Sequence, residues 1–344
     1  MARKRSGGQG GDTTPGRRRR PLRAVLIGLV VLAVVAVGLF WLRDQKLLTP
    51  EGCRVKTAAG EGTLEVPQAA NAATIAAVAH ARGLPDRAVT ISLATAMQES
   101  KIRNLTGGDR DSVGLFQQRP SQGWGTAQQI SDPVYATNKF LDGLVKVPGY
   151  TRLPLTDAAQ QVQKSGYPQA YAKHETKATL LASALTGREA ASLNCVVHDF
   201  AEPDPDDTAS AAASASAVPA AAASATPAGR PDRAQVLSDR VRREFGRTVS
   251  PATGYSSSIK GAESAVSLTP DPAASTDAGP DAERENGWAV AHWAVAQAQQ
   301  LGIETVAYDG KIWRKAKSED GWKPQPTGTS TKLVLVSLAG PAKA

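Results

Sequence analysis

Residues 94–125 read ATAMQESKIRNLTGGDRDSVGLFQQRPSQGWG, and they are the most informative stretch of the chain. Apolar residues recur at helical spacing before Glu99 and Ser100, so the pattern predicts a helix over residues 86–100. A loop rich in Gly and Asp follows and leads to Gly114. An acidic residue at the end of an apolar helix, facing such a loop, predicts a site for acid catalysis.

Cleaving a glycosidic bond requires an acid that protonates the leaving oxygen near neutral pH. A carboxyl group in an apolar pocket has a raised pKa and meets this requirement. Glu99 closes an apolar helix and is therefore the candidate general acid. Gly114 allows a polymer to approach closely, and the amides of Gln117 and Gln118 are candidate hydrogen-bond donors to its acetamido groups.

Glu99-Ser100 is followed by Ser112, Gly114-Leu115, Gln117 and Pro120. This order resembles the soluble lytic transglycosylase and goose-type lysozyme families of the lysozyme-like superfamily. Those families have Glu-Ser at a helix end, then Ser-x-x-Gly-Leu-Met-Gln and a Pro. Here one residue rather than two separates the Ser from the Gly, and Phe116 replaces the Met. The family's third motif is Ala-Tyr-Asn, and the nearest counterpart, residues 170–172, lacks the Asn.

The resemblance implies cleavage of the β-1,4 bond between N-acetylmuramic acid and N-acetylglucosamine in peptidoglycan. Without a second carboxylate, the 6-hydroxyl of the muramyl sugar attacks, Glu99 acts as base, and a 1,6-anhydro product forms. If Asp109 or Asp111 positions a water molecule, hydrolysis follows instead. Both acids flank Arg110, and pairing with it is the alternative role.

Two aromatic residues complete the candidate substrate site. Tyr171, in the third motif, is expected to stack on a sugar or to hydrogen-bond near the Glu99 carboxyl group. Trp124 is expected to line the sugar groove, although a single Trp in a small helical domain is more often a core residue. Ser112 belongs to the same candidate substrate-binding set.

Residues 24–42 are 19 residues without a charge, which as a helix extend about 28 Å. Residues 1–23 hold eight Lys or Arg and one acid, a net charge of +7 in a chain of +8. This pattern predicts a single-pass membrane protein with a cytoplasmic basic tail, a transmembrane helix and an extracytoplasmic body. A cleaved signal peptide is the alternative. A charge confined to the tail argues against nucleic-acid binding.

The chain has two cysteines, Cys53 and Cys195, which bracket one block of sequence. On the outer side of a membrane a disulfide between them is expected, and two unpaired thiols are the alternative. Two Cys and four His without zinc spacing predict no metal site, and we expect no cofactor.

Composition and apolar periodicity divide the rest of the chain into three segments. Residues 53–195 are predicted to be a mainly α, lysozyme-like domain with helices over 71–81, 86–100, 133–145, 156–163 and 173–186. Residues 201–230 are rich in Ala, Ser and Pro and predict a disordered linker. Residues 231–340 predict a small α+β domain of unknown role, with helices over 233–245 and 287–301.

The rest of this second domain is expected to contain an Asp309-Gly310 hairpin and a strand over residues 333–338. Residues 250–284 are expected to be a loop or a second linker. Its four Trp are either core residues or a sugar-stacking surface.

Three functions are compatible with the sequence. The first is an anchored enzyme that cleaves peptidoglycan glycan strands. The second is a non-catalytic module on the same fold that binds glycan or scaffolds other cell-wall enzymes. The third, a solute or metal transporter, is disfavoured by a single predicted span and the lack of a ligand cluster.

Overall fold

The computed structural model describes residues 20–44, 49–201, 232–260, 262–271 and 281–340. The chain separates into two compact units, Met1–Pro50 and Glu51–Ala344. The predicted linker at 201–230 lies outside the described residues except for Ala201, and most of the basic tail at 1–23 also lies outside them.

The first unit contains one helix, α1 (Arg20–Asp44). Within the described part of the chain, no helix has both the length and the apolar character needed to cross a bilayer. The transmembrane helix at 24–42 is therefore a wrong prediction. The single-pass topology and the membrane localisation inferred from it are corrected with it.

The second unit begins with a helical block that also contains a small sheet. Its strands are antiparallel in the order β2-β1-β3. The strands are β1 (Gly52–Thr57), β2 (Gly60–Leu64) and β3 (Leu193–Val196). The helices are α2 (Val66–Ala81), α3 (Asp86–Ser100), α4 (Ala127–Ile130), α5 (Pro133–Leu144), α6 (Leu155–Gln163) and α7 (Glu175–Leu185).

The sheet joins the beginning of this block to its end, because β1 pairs with β3. Cys53 on β1 lies directly opposite Cys195 on β3, and the two form a disulfide, as expected from the sequence. Helix α3 runs through the core, and most of its residues from Ala88 to Met97 are fully buried. The helix that carries Glu99 is therefore anchored in the core, while Glu99 itself is only half-buried.

The second block is built on a six-stranded antiparallel sheet of order β4-β5-β9-β6-β7-β8. The strands are β4 (Val249–Ser256), β5 (Ser264–Pro270), β6 (Ile303–Tyr308), β7 (Lys311–Arg314), β8 (Lys323–Pro324) and β9 (Val334–Leu338). The helices are α8 (Arg233–Phe245), α9 (Ala282–Ala296) and α10 (Ala298–Leu301).

The expected loop over residues 250–284 is wrong, because β4 and β5 occupy much of it. Strand β4 is an exposed edge strand, and its Pro251 and Gly254 give it the composition of a loop. Pro and Gly are tolerated at a sheet edge, where one side of the strand needs no ladder hydrogen bonds. The polar composition of β4 is therefore the reason that no strand was predicted here.

The two blocks share one apolar core. Trp288, Trp293 and Trp313 are buried, and the partly buried Trp322 packs against the same core, so the four Trp are core residues rather than a sugar-stacking surface. Trp313 and Trp322 also donate hydrogen bonds to residues of β3. The expected fold class is corrected accordingly. Residues 51–344 form one α+β unit, in which a helical block with a small sheet packs against a larger sheet.

Candidate active site

Helix α3 ends in a sharp turn directly after Glu99 and Ser100. Lys101 and Ile102 both adopt left-handed backbone conformations, with φ of 58°. A β-branched residue such as Ile102 rarely does so, and strain of this kind is concentrated at functional sites. Two amides of α2 hold the turn: Gln68 donates to the carbonyl of Lys101 at 2.7 Å, and Asn71 donates to the carbonyl of Ile102 at 2.9 Å.

The Glu99 carboxyl group accepts a hydrogen bond from Tyr171, whose hydroxyl lies 2.8 Å from its Oε1. Burial raises the pKa of Glu99, and the Tyr171 hydroxyl and the Gln163 amide at the end of α6 oppose this effect without cancelling it. The raised pKa favours the protonated form that a general acid needs.

Tyr171 comes from a 3₁₀ helix, Pro168–His174, and its side chain is buried against α3. Burial and the neighbouring Glu99 carboxyl raise the pKa of Tyr171, so the phenol stays protonated and remains a donor. The third motif thus lies beside Glu99, where the sequence placed it, although it lacks the Asn.

The second motif is tied to the same helix end. Ser100 Oγ donates to the carbonyl of Leu115 at 2.7 Å, while Phe116 stacks on Phe140 of α5 with ring centroids 4.7 Å apart. Gly114 has a φ of 80°, and a Cβ there would lie 2.4 Å from the carbonyl oxygen of Ile130. Only glycine fits this close approach, which explains the Gly in the motif.

The amides of the two glutamines are used inside the protein. Gln117 accepts from Ser112 Oγ at 3.1 Å and donates to the carbonyl of Gly114 at 3.2 Å. Gln118 is buried and donates to the carbonyl of Ala136 at 3.3 Å. Ser112, Gly114 and Gln117 therefore form one structured loop, and Gln118 faces α5 rather than an open groove.

The two candidate auxiliary acids have different surroundings. Asp111 accepts from Arg119 at 2.7 Å and from the backbone N–H of Ser121 at 2.8 Å. The Ser121 N–H and the Arg119 guanidinium hold the pKa of Asp111 well below its usual range. Asp111 thus pairs with Arg119 and not with its neighbour Arg110. Asp109 is exposed, and within the described residues its side chain has no hydrogen-bond partner.

Trp124 is half-buried and packs against the apolar core, and its carbonyl accepts from Tyr135. It therefore takes the role of a core residue at the edge of the block. No role was predicted for Gln163 or Arg119. The partner of Gln163, Phe116, lies far away along the chain, and the partner of Arg119, Asp111, lies across a turn. The only signal for Gln163 was its place at the end of a predicted helix, just before the loop that leads to Tyr171.

Among the described residues, no three His, Cys, Asp or Glu side chains come together where they could hold a metal ion. The arrangement around Glu99 is thus built from one carboxyl group, one phenol and one amide. Such a set can transfer a proton to and from a bound molecule.

Comparison with known families finds one match, in the second block. Residues 228–332 match the family model described as VldE, C-terminal domain. The match covers less than a third of the chain and excludes Glu99, Gln163 and Tyr171. A search of curated proteins finds no match.

Proposed function

We propose that this protein cleaves the glycan strands of peptidoglycan, with Glu99 as general acid and then as general base. One observation carries the proposal: a carboxyl group of raised pKa stands at the end of a buried helix, 2.8 Å from the hydroxyl of Tyr171. The sequence resemblance to lytic transglycosylases and goose-type lysozymes supplies the substrate class.

Glu99 first gives its proton to the glycosidic oxygen between N-acetylmuramic acid and N-acetylglucosamine. The bond from the muramyl C1 to that oxygen breaks, and the positive charge that develops on the sugar faces the new carboxylate. The resulting Glu99 carboxylate then takes a proton from the attacking hydroxyl, which restores the acid. Tyr171 supports the carboxylate stage, because its hydroxyl is a donor throughout.

We propose the 1,6-anhydro outcome over hydrolysis. A hydrolytic route needs a second carboxylate that is free to position water. Asp111 has its oxygens engaged by Arg119 and Ser121, which disfavours that role. The muramyl 6-hydroxyl is then the available nucleophile. If hydrolysis occurs, the exposed Asp109 becomes the candidate that positions the attacking water molecule.

The second candidate is a non-catalytic module that binds peptidoglycan or scaffolds other cell-wall enzymes. The third motif favours it, because residues 170–172 lack the Asn of the families that the sequence resembles. The two candidates differ in a single readout, which is the formation of product.

The test is to incubate the purified full chain with purified peptidoglycan, beside Glu99→Gln and the control Glu61→Gln. Glu61 is half-exposed and pairs with Lys56 on the small sheet. We expect anhydro-muropeptides from the parent and the control, and a loss of about 10²–10⁴-fold in rate for Glu99→Gln, by mass spectrometry.

Other products would assign other functions. Reducing-end products from the parent would replace the anhydro outcome by hydrolysis. No product from any protein, with the chain still sedimenting with the cell wall, would contradict the enzyme and support the binding module.

A further inference from the structure

Three exposed lysines stand at the ends of the three elements that build the candidate active site. Lys101 directly follows α3, Lys164 directly follows α6, and Lys173 lies in the last turn of the 3₁₀ helix that carries Tyr171. Within the part of the chain that the structure describes, none of the three forms a side-chain hydrogen bond or an ion pair. Their charges are therefore available to a bound molecule, and we call the three residues the lysine rim.

Two members of the lysine rim lie close to Glu99 along the chain. Lys101 is two positions beyond Glu99, and Lys173 is two positions beyond Tyr171. Two positions span at most about 7 Å between Cα atoms. Because the Tyr171 hydroxyl lies 2.8 Å from the Glu99 carboxyl group, both lysines border the same carboxyl group.

The third member, Lys164, is brought to the site by the fold. It follows Gln163, whose Nε2 donates to the carbonyl of Phe116 at 2.8 Å. The preceding carbonyl, that of Leu115, accepts from the Ser100 hydroxyl at 2.7 Å. The end of α6 is thus joined through two hydrogen bonds to the end of α3, and the three lysines lie around one site.

Local structure does not account for these lysines. Lys101 and Lys164 have left-handed backbone conformations, with φ of 58° and 52°, at positions where helices usually have Gly. A lysine there interacts favourably with the helix dipole, but at a conformational cost that Gly avoids. Lys173 lies two positions before α7, where the dipole disfavours a positive charge. An anionic ligand is therefore the better explanation for all three.

The carboxylates nearby do not neutralise the lysine rim. Asp111 and Glu175 are each paired with an arginine. The exposed Asp109 is next to Arg110, which is also exposed, so their opposite charges offset one another. The lysine rim thus presents its positive charges to solvent at the border of the site.

We propose that the lysine rim binds carboxylates that the glycan strand carries beside the bond to be cleaved. The proposal rests on the function proposed above and deepens it, because it names the feature of the strand that is recognised. Each N-acetylmuramic acid has a lactyl group, whose carboxyl is either free or linked to a peptide stem with carboxylates of its own. A polymer of N-acetylglucosamine alone has none.

The chemistry of lysine suits such ligands. Its ammonium group is a compact charge on a flexible stem, so three lysines can follow carboxylates whose positions vary along a strand. Exposed charges each contribute modestly to affinity, and they act mainly on the rate of association and on the choice of partner. The lysine rim thus selects strands that contain muramic acid, and Glu99 acts on them after they dock.

The experiment uses the full chain with Glu99→Gln, so that strands bind without being cleaved. In this background the three lysines of the rim are replaced by Gln. The control replaces Lys260, Lys317 and Lys332 by Gln, which removes the same charge from exposed positions of the second block. Cosedimentation measures the affinity of each protein for three purified polymers.

The three polymers separate the sources of the carboxylates. The first is peptidoglycan freed of phosphate-containing polymers with hydrofluoric acid, in which the peptide stems are present. The second is the same material after an amidase has removed the stems and left the lactyl carboxylates. The third is chitin, which has no carboxylate.

We expect the rim variant to lose about three- to thirtyfold in affinity for one or both muramyl polymers and to bind chitin as before. A loss on the first polymer alone assigns the rim to the peptide stems, and a loss on the second alone assigns it to the lactyl group. The control variant should bind all three polymers like the Glu99→Gln protein. The loss should shrink as salt is added, since exposed charges are screened.

An equal loss in the control variant, an equal loss on chitin, or no loss at all would overturn the proposal. A loss that appears only with peptidoglycan that retains its phosphate polymers would also overturn it, in favour of a phosphate ligand. If the triple variant does not fold, Lys173→Gln alone is tested, with Lys260→Gln as its control. A chain with Glu99 intact that forms no product, while the rim variant still loses affinity, would end the proposed function and keep the rim.

Discussion

Glu99 is a residue whose ionised form is unfavourable in the folded protein. Burial raises its pKa above the usual value of 4.5, so the folded state favours the protonated carboxyl. The stability that this group contributes is complete at low pH and is lost as the pH rises through the folded-state pKa. At any pH above the unfolded-state pKa, Glu99 therefore lowers the free energy of unfolding.

Glu99→Gln should accordingly stabilise the protein at pH 7, because a neutral amide of similar shape does not titrate and so lacks the cost that the raised pKa of Glu99 imposes. Below pH of about 4 the advantage should vanish, since Glu99 is then protonated in both folded and unfolded states. Thermal unfolding of the parent and the variant at both pH values measures this. A variant that melts at or below the parent temperature at pH 7 would contradict it.

At this scale the sequence predicted part of the site. Glu99 and Tyr171 were identified by their motifs, and the Tyr171 hydroxyl lies 2.8 Å from the Glu99 carboxyl group. Gln163 was not identified, because its hydrogen bond to the carbonyl of Phe116 joins residues that are 47 positions apart, which no local pattern records. Asp111 was placed correctly in its loop, but its partner Arg119 lies on the far side of the turn.

Among the elements, the turn after α3 depends on α2. A helix was expected to begin at residue 71, yet α2 begins at Val66 and Asn71 lies inside it. The Asn71 amide donates to the carbonyl of Ile102, three residues beyond Glu99. A helix in the core therefore holds the strained turn that ends α3.

Asn71→Ala should lower the free energy of unfolding by about 1 kcal/mol, because the buried carbonyl of Ile102 loses its donor while Ala is the better helix former. Activity on peptidoglycan should fall with it, since the turn positions Glu99. Urea unfolding and the cleavage rate measure the two effects. Gln129→Ala, which removes an exposed capping bond of α4 away from this turn, is the control for stability, and it should leave the cleavage rate unchanged. An equal loss in both variants would contradict the argument.

Helices with strong apolar periodicity were predictable, and strands were predictable only where the turn was distinctive. The helix over Asp86–Ser100 has the predicted bounds, and the Asp309-Gly310 hairpin has positive φ at both turn residues. Strands β1 and β3 were missed because they are short and pair across most of the block. Their pairing is determined by the closure of the block rather than by local sequence.

For the whole molecule, buried polar side chains join the two blocks. Glu244 on α8 accepts from Thr74 of α2 at 3.0 Å and from Trp293 at 2.6 Å, and it pairs with Arg240. His292 donates from Nδ1 to the carbonyl of Ala184 and accepts the N–H of Ser192. Burial lowers the pKa of His292 to about 4, so it stays neutral and holds this arrangement at physiological pH.

Glu244→Ala should lower the free energy of unfolding of residues 51–344 by roughly 3–5 kcal/mol, because it leaves buried partners without an acceptor. Calorimetry should still show a single transition, since the two blocks share one core. Asp239→Ala, which removes an exposed pair with Arg242 on the same helix, should cost less than about 1 kcal/mol. Two separate transitions in the parent would contradict the shared core.

The two-block organisation could not be derived from composition. The sequence predicted a linker and a second domain, which favoured independent folding, while the residues that join the blocks are scattered along the chain. No sequence motif surrounds Trp293, Glu244 or Thr74. Only the fold brings these three side chains together.

The disulfide between Cys53 and Cys195 also determines how the chain carries mechanical load. The two Cα atoms are 4.0 Å apart, although 142 positions separate them along the chain. A tension applied between residues before Cys53 and residues after Cys195 passes directly across the sulfur–sulfur bond. The enclosed loop, with Glu99, Gln163 and Tyr171, lies outside that line of force. A protein pulled by its ends would therefore transmit force to these residues through the contacts of the shared core and not along the chain between Cys53 and Cys195.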